Sequence, residues 1–342
     1  MIKFFRKIRQ KLLTENKFSK YLLYAIGEIL LVVIGILIAL NVNNFNENRK
    51  QEAKIIEALK EIHRDLSDDI KESNGVITSY KNEDSIINVL MTKKMSAEDY
   101  KGNNLFNYIG VASTIYSLNI NNNGFEKLMV NSDNIPEKYQ HLVESLKNIY
   151  INDNNELVSS LKLGTDDVTQ YLSYLKQNTD WYSEFIYNYN LTEDAINYFL
   201  NDSYYKNHLA QYYILSIRNY YADLYQFRID AEVSYQELTN ILQLEDVVAS
   251  DSTYYNINVK DYDHFLGTYK DSTSTAVISM ESDKLYYKWK DADKARLFPV
   301  SKSSFMQAND ASFNIIVLDS TGHTQGHNWH FGSQKGTMKK TE

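Results

Sequence analysis

The sequence predicts an α+β protein: one transmembrane helix, an extracytoplasmic bundle of long helices, and a small antiparallel β-barrel or sandwich at the C-terminus. Three observations carry this. Residues 21–41 are apolar almost throughout. Residues 45–245 repeat their apolar positions at helical spacing. Residues 260–335 break into short β-branched and aromatic runs separated by turn residues. A basic stub, 1–20, precedes the apolar segment, and a polar linker, 246–259, separates bundle from β-module.

Composition narrows the function classes. Two prolines and twelve glycines in 342 residues favour uninterrupted helices. The chain has no cysteine, which removes disulfides, thiolate catalysis and cysteine-based metal sites. Seven basic residues against Glu15 give the first twenty residues a charge of +6, which leaves −14 for the rest of a chain whose net charge is −8. An acidic body argues against a nucleic-acid partner.

Tyr21–Leu40 is twenty residues long, about 30 Å of helix, enough for a bilayer core. Ile29–Leu40 has no polar side chain. A buried core helix and a cleaved signal peptide are the alternatives. The long basic start, Glu28 inside the apolar run and the missing small-x-small motif argue against cleavage. The basic flank predicts a cytoplasmic N-terminus and an extracytoplasmic body. Glu28 shares a helical face with Gly35, seven residues on, and with Ala39. Two readings of Glu28 stand: an interfacial acid reaching water, or part of a contact between membrane helices. The bilayer is thus the first expected partner, and a second copy or another membrane protein is the second.

"MIKFFRKIRQKLL", followed by "YLLYAIGEILLVVIGILIALNVNNFNENRK", resembles the N-terminal signature of an uncharacterised bacterial single-pass membrane-protein family. "GFEKLMVNSDNIPEKYQHLVESL" is similar to a downstream helix–turn–helix of such proteins. The resemblance implies a bacterial inner-membrane location in the cell envelope, and no activity.

Ile55, Leu59, Ile62, Leu66 and Ile70, then Ile77, Tyr80 and Ile87, mark one helical stripe continuing from the membrane to about 91–95. Ser96 with Asp99 reads as a capping box opening a helix toward Ile120. Pro136 opens a long helix through Leu175, with a kink expected at Gly164. Thr192 reads as an N-cap. Ala210, Tyr213, Ile217, Tyr220, Leu224, Phe227, Ala231, Ser234, Leu238 and Ile241 form a bundle or coiled-coil seam that should pack on the first long helix.

Tyrosine is abundant, with 28 residues. Seam tyrosines read as core, their hydroxyls reaching the bundle surface. "DWYSEFIYNYN" is less periodic, so Trp181, Tyr182, Phe185 and Tyr187 are the candidate ligand pocket.

In the tail, Leu285, Tyr287 and Trp289 alternate with Tyr286, Lys288 and Lys290, as in a half-buried strand. "HFLGTYK", "DKLYYKW", "RLFPVSKSSF" and the stretch from Phe313 through Val317 to Gly326 resemble the lipocalin-like C-terminal β-module of serine hydrolases related to penicillin-binding proteins. That module is an accessory without catalytic residues. Ser159 with Lys162 matches S-x-x-K, and Ser132-Asp133-Asn134 matches S-D-N. Their order is inverted, and Lys335-Gly336-Thr337 is not K-T-G. His323, His327 and His330 have the chemistry of metal ligands, but exposed turn histidines explain them as well. No residue is assigned a catalytic or metal role, no cofactor is expected, and the chain reads as non-enzymatic. The expected function is interaction or scaffolding, with extracytoplasmic small-ligand sensing through a membrane partner as the alternative.

Overall fold

The computed structural model describes residues 18–101, 105–188, 190–245, 259–281, 284–299, 304–307, 313–318, 321–331 and 334–341. Residues 1–17 of the basic stub and 246–258 of the linker lie outside the described residues.

One helix, α1 (Phe18–Thr92), is 75 residues long, about 110 Å at 1.5 Å per residue. Its two halves differ in what surrounds them. Every residue from Ile29 to Leu40 is exposed, and the segment passes as a candidate membrane span. From Ile55 onward one stripe is buried: Ile55, Leu59, Ile62, Leu66, Ile70, Ile77, Tyr80 and Ile87. The rigid rod therefore carries an apolar surface at one end and a bundle core at the other.

Ser96 and Asp99 do form the capping box, with Ser96 N and Oγ 2.9 and 2.7 Å from the Asp99 carboxylate. It opens only a 3-10 turn, Ala97–Tyr100, rather than a helix to Ile120. A short helix, α2 (Leu105–Gly110), follows, and then residues 114–122 run without regular structure. Beyond them come α3 (Asn123–Val130), α4 (Gln140–Lys147), a π-helical turn (Asn148–Asp153) and α5 (Asn154–Asn178). Pro136 caps the 3-10 turn before α4. The π-turn, not Gly164, interrupts the long helix. Gly164 sits in unbroken α5, where a Cβ would meet Ser216 Oγ at 3.0 Å. Thus this glycine serves close packing.

The last helices are α6 (Tyr182–Asn188), α7 (Glu193–Asn201), α8 (Ser203–Tyr212), a π-helical segment (Tyr213–Tyr220) and α9 (Tyr221–Leu242). Thr192 caps α7, accepting from Ala195 N at 3.2 Å. α9 packs on α1. The seam from Ile217 to Leu238 is buried. Upstream its phase is wrong: Tyr205, Leu209 and Tyr212 are buried, whereas Ala210 and Tyr213 are only partly so. A π-helix advances fewer degrees per residue than an α-helix, so the intervening segment shifts the buried face by one position. At the far end Ile241 is exposed.

Tyr220 of the seam, with three buried tyrosines outside it, corrects the expectation about the hydroxyls. Residues 111–122, a partly buried strap, follow α2 without helix or strand to satisfy their backbone, and side chains bond several of these groups instead. Tyr205 donates to the Tyr108 carbonyl (3.1 Å), Tyr212 to Thr114 (2.9 Å), and Tyr80 to Tyr116 (3.0 Å) while accepting from Tyr116 N (3.2 Å). The Tyr220 hydroxyl accepts from Leu118 N at 3.0 Å. Glu83 accepts from Ala112 N, Asp69 from Asn121 N, and Asp65 from Gly124 N. These four hydroxyls point inward to α2 and the strap, not outward to the surface.

The β-module has eight strands: β1 (Gly267–Lys270), β2 (Thr275–Glu281), β3 (Lys284–Trp289), β4 (Ala295–Pro299), β5 (Ser304–Gln307), β6 (Phe313–Leu318), β7 (Thr324–Phe331) and β8 (Gln334–Lys340). Each pairs antiparallel with the next, so the sheet curls. It closes through a short β1–β8 seam, Tyr269 opposite Lys340 and Lys270 opposite Lys339. Leu285 and Tyr287 are buried and Lys288 and Lys290 exposed, as the alternation predicts. A 3-10 turn, Val259–Phe265, sends Tyr262 and Phe265 onto Phe305. Module and bundle meet where Arg296 of β4 donates to both oxygens of Asp230 on α9, at 2.9 and 3.0 Å.

Burial raises the pKa of several bundle carboxylates: Asp69 and Glu83 to about 7, Asp153 and Glu232 to about 8. In the unfolded chain these carboxyls titrate near ~4, so between pH 8 and 6.5 they take up protons in the folded state only. Stability must then rise as pH falls through this window. Two buried histidines, His327, held down at about 4, and His208, also lowered by desolvation, act with the opposite sign, chiefly as pH falls through and below their unfolded value of ~6.5. The expected result is a higher melting temperature at pH 6.5 than at pH 8, with a smaller rise in Glu232→Gln. A melting temperature that is flat or falls on acidification contradicts the assignment.

Candidate functional site

The apolar half of α1 presents an open face. Glu28 is half-exposed, Ala39 is exposed, and nothing lies within 4 Å of a Cβ built on Gly35. The seven-residue spacing on a continuous helix aligns Glu28 with Gly35.

The aromatic segment divides. Trp181 is buried, with its ring 5.4 Å from Tyr198, 5.7 Å from Phe199 and 6.0 Å from Phe185. Phe185 in turn lies 5.9 Å from Phe199. These rings fill one another's space. Tyr182 packs against the same core, whereas Tyr187 is 85% exposed and stands apart.

A different set of residues lines an open cleft. A cleft of about 280 Å³ lies between α5 and α8. α5 contributes Asp167, Gln170 and Tyr171; α8 contributes Tyr204, Asn207, His208 and Gln211. These positions recur at three- and four-residue spacing, which puts each set on one helix face. The Tyr171 ring stacks on the His208 imidazole at 3.8 Å, and Tyr204 stacks on Tyr174 at 3.8 Å.

His208 links the cleft to the strap. Its Nε2 donates to the Ala112 carbonyl at 2.7 Å, and its Nδ1 lies 3.2 Å from Asp167 Oδ2. A carbonyl only accepts, so Nε2 carries a proton. A second proton must lie between Nδ1 and the carboxylate, since a bare lone pair would face an anion. Burial lowers the His208 pKa and raises that of Asp167. Ala112 itself has φ of 59°, the left-handed region that side chains disfavour. The bonds from His208 to its carbonyl and from its N–H to Glu83 hold it there.

The remaining motif matches are dispersed. Ser159 is exposed and donates to the Asn155 carbonyl, and Lys162 pairs with Asp166. Ser132–Asn134 is a 3-10 turn, and Lys335–Thr337 lies in β8. His327 is buried inside the curled sheet, 3.3 Å from the Tyr287 hydroxyl, while His323 is exposed beside Thr321. Of His330 only the backbone, in β7, is described. Among the described residues, no group of three or more histidine or acidic side chains is placed to hold a metal ion.

The Asp167–His208 cleft was missed at the sequence level. The only trace was polar residues at helical spacing in two separate segments, and nothing in either shows that the two faces meet.

Residues 28–153 match a family of unknown function, DUF6090. The match spans the apolar half of α1, its bundle half, the strap, α3 and α4, and it ends at the π-turn. No curated protein and no solved structure matches the chain, so the likeness of the β-module to that of the penicillin-binding-protein relatives gains no support. What the chain is similar to is thus a family without an assigned activity, over the part that joins the apolar helix to the bundle.

Proposed function

We propose that this is a membrane-anchored protein of the bacterial cell envelope that works by binding rather than by catalysis. The N-terminus is cytoplasmic, α1 crosses the inner membrane, and bundle and β-module stand outside the cytoplasm. The observation that carries this reading is the continuity of α1. An exposed apolar segment, flanked on its N-terminal side by seven basic residues, runs unbroken into the core of the body. Such a rod transmits position from the membrane to the bundle, which suits a scaffold.

The exposed face with Glu28, Gly35 and Ala39 is the docking surface within the membrane, for a second copy or another membrane protein. An acid at a helix centre facing lipid costs about 2.5–3.5 kcal/mol, less near the interface. Polar contacts between membrane helices return only about 0.6–2 kcal/mol, so close packing at Gly35 must supply the rest. Gly35→Ile is therefore expected to weaken association more than Glu28→Gln, measured by crosslinking of the full chain in native membranes. Unchanged crosslinking in Gly35→Ile would show that the face contacts lipid and that Glu28 is an interfacial acid.

The cleft between α5 and α8 favours a second reading, small-ligand binding relayed through a membrane partner. It is an open cleft with mixed polar and aromatic walls, tied through His208 to the strap.

A further inference from the structure

We propose that the α5–α8 cleft binds a small organic cation, whose protonated primary amine donates to the Asp167 carboxylate and to the amide oxygens around it. The inference rests on the ligand-binding reading and names the ligand's chemistry.

The lining decides the sign of the charge. Asp167 is the acid of the cleft, and no lysine or arginine is among the described residues that line it. The one basic group, His208, is occupied: one nitrogen serves the Ala112 carbonyl and the other faces Asp167. Neither nitrogen of His208 is free to donate to an anion, and the proton it shares with Asp167 leaves the pair no net positive charge to attract one. The carboxylate of Asp202, which caps the start of α8, adds a second negative charge on the same helix. The body as a whole is acidic, which raises the local concentration of cations.

The donor count fits as well. A primary ammonium has three N–H donors and no acceptor. Gln170, Asn207 and Gln211 each offer an amide oxygen, and Asp167 a carboxylate, so acceptors are in surplus. Tyr204 is half-buried at the wall and gives methylene groups an aromatic surface, with a cation–π contribution for the head group. The volume, about 280 Å³, lies just below the ~300–1,000 Å³ range of drug-sized pockets, so the occupant is metabolite-sized. Because an ammonium favours the ionised carboxylate, occupancy acts on the proton that Asp167 shares with His208. Through His208 it reaches the strap at Ala112.

The test uses the full chain in detergent micelles and two probes of equal length: putrescine, which is dicationic, and 1,4-butanediol, which is neutral. Calorimetry is expected to show saturable binding of putrescine and none of the diol. Asp167→Asn should weaken putrescine on the order of tenfold. Since Asp167 also supports the fold, the decisive variants are at exposed Gln211. Gln211→Glu should tighten putrescine up to about fivefold, and Gln211→Lys should weaken it at least as much. Equal binding of both probes, with loss in Gln211→Lys, overturns the cationic assignment but keeps a ligand cleft. Putrescine affinity indifferent to all three variants places the amine elsewhere and overturns the proposal. Binding of neither probe overturns it too, and removes the support for the ligand-binding reading.

Discussion

Tyr80→Phe is expected to destabilise the bundle by about 1–3 kcal/mol, because it removes the partner of two part-buried backbone groups that water can only partly satisfy. Tyr80 is fully buried, and its hydroxyl both donates to the Tyr116 carbonyl and accepts from the Tyr116 N–H. Phenylalanine fills the same volume, so packing changes little and the loss reports on hydrogen bonding alone. The ring keeps its edge-on neighbours, Tyr116 at 5.6 Å and Tyr220 at 5.5 Å. Tyr187→Phe, at an exposed position, should fall within about 0.5 kcal/mol of the parent. Urea unfolding followed by circular dichroism measures both. Hydrogen exchange at Tyr116 should accelerate in Tyr80→Phe only. Equal stability of the two variants would mean that the strap is not held by tyrosine hydroxyls.

That strap marks where the sequence stops being legible. Ile55, Leu59, Ile62, Leu66 and Ile70 announce their helix because an unbroken α-period leaves one stripe for one core. Leu285 and Tyr287 announce their strand for the equivalent reason. Residues 111–122 have no such code: their order comes from side chains up to about a hundred positions away, such as Tyr212 and Tyr220. The capping box at Ser96 was readable, but a cap fixes where a turn begins and not how long it lasts. The seam failed at Ala210 and Tyr213 because a π-helical segment breaks the period, and a phase counted in threes and fours cannot register an inserted residue. Trp181 and Phe185 looked like a pocket because aromatic composition is visible in a sequence, whereas their filling by Tyr198 and Phe199 is not. The cleft at Asp167 and His208 stayed hidden for the converse reason: its residues are ordinary, and only the pairing of α5 with α8 makes them a site.

The proposed passage of α1 from the bilayer into the core of the body can be probed along a single helix. The chain has no native cysteine, so single cysteines can be introduced along α1 and labelled in intact membranes with an impermeant maleimide. Two regimes are expected on the same helix. At 29–40, lipid should block labelling at every position, whichever face it lies on. At 55–70, protein should block one face only: positions 57, 60, 64 and 68, which are exposed, should label, and 55, 59, 62 and 66, which are buried, should not. Protection is expected to change from uniform to periodic between Leu40 and Ile55. Ready labelling throughout 29–40 would contradict the proposed passage, because the apolar half of α1 would then lie in water.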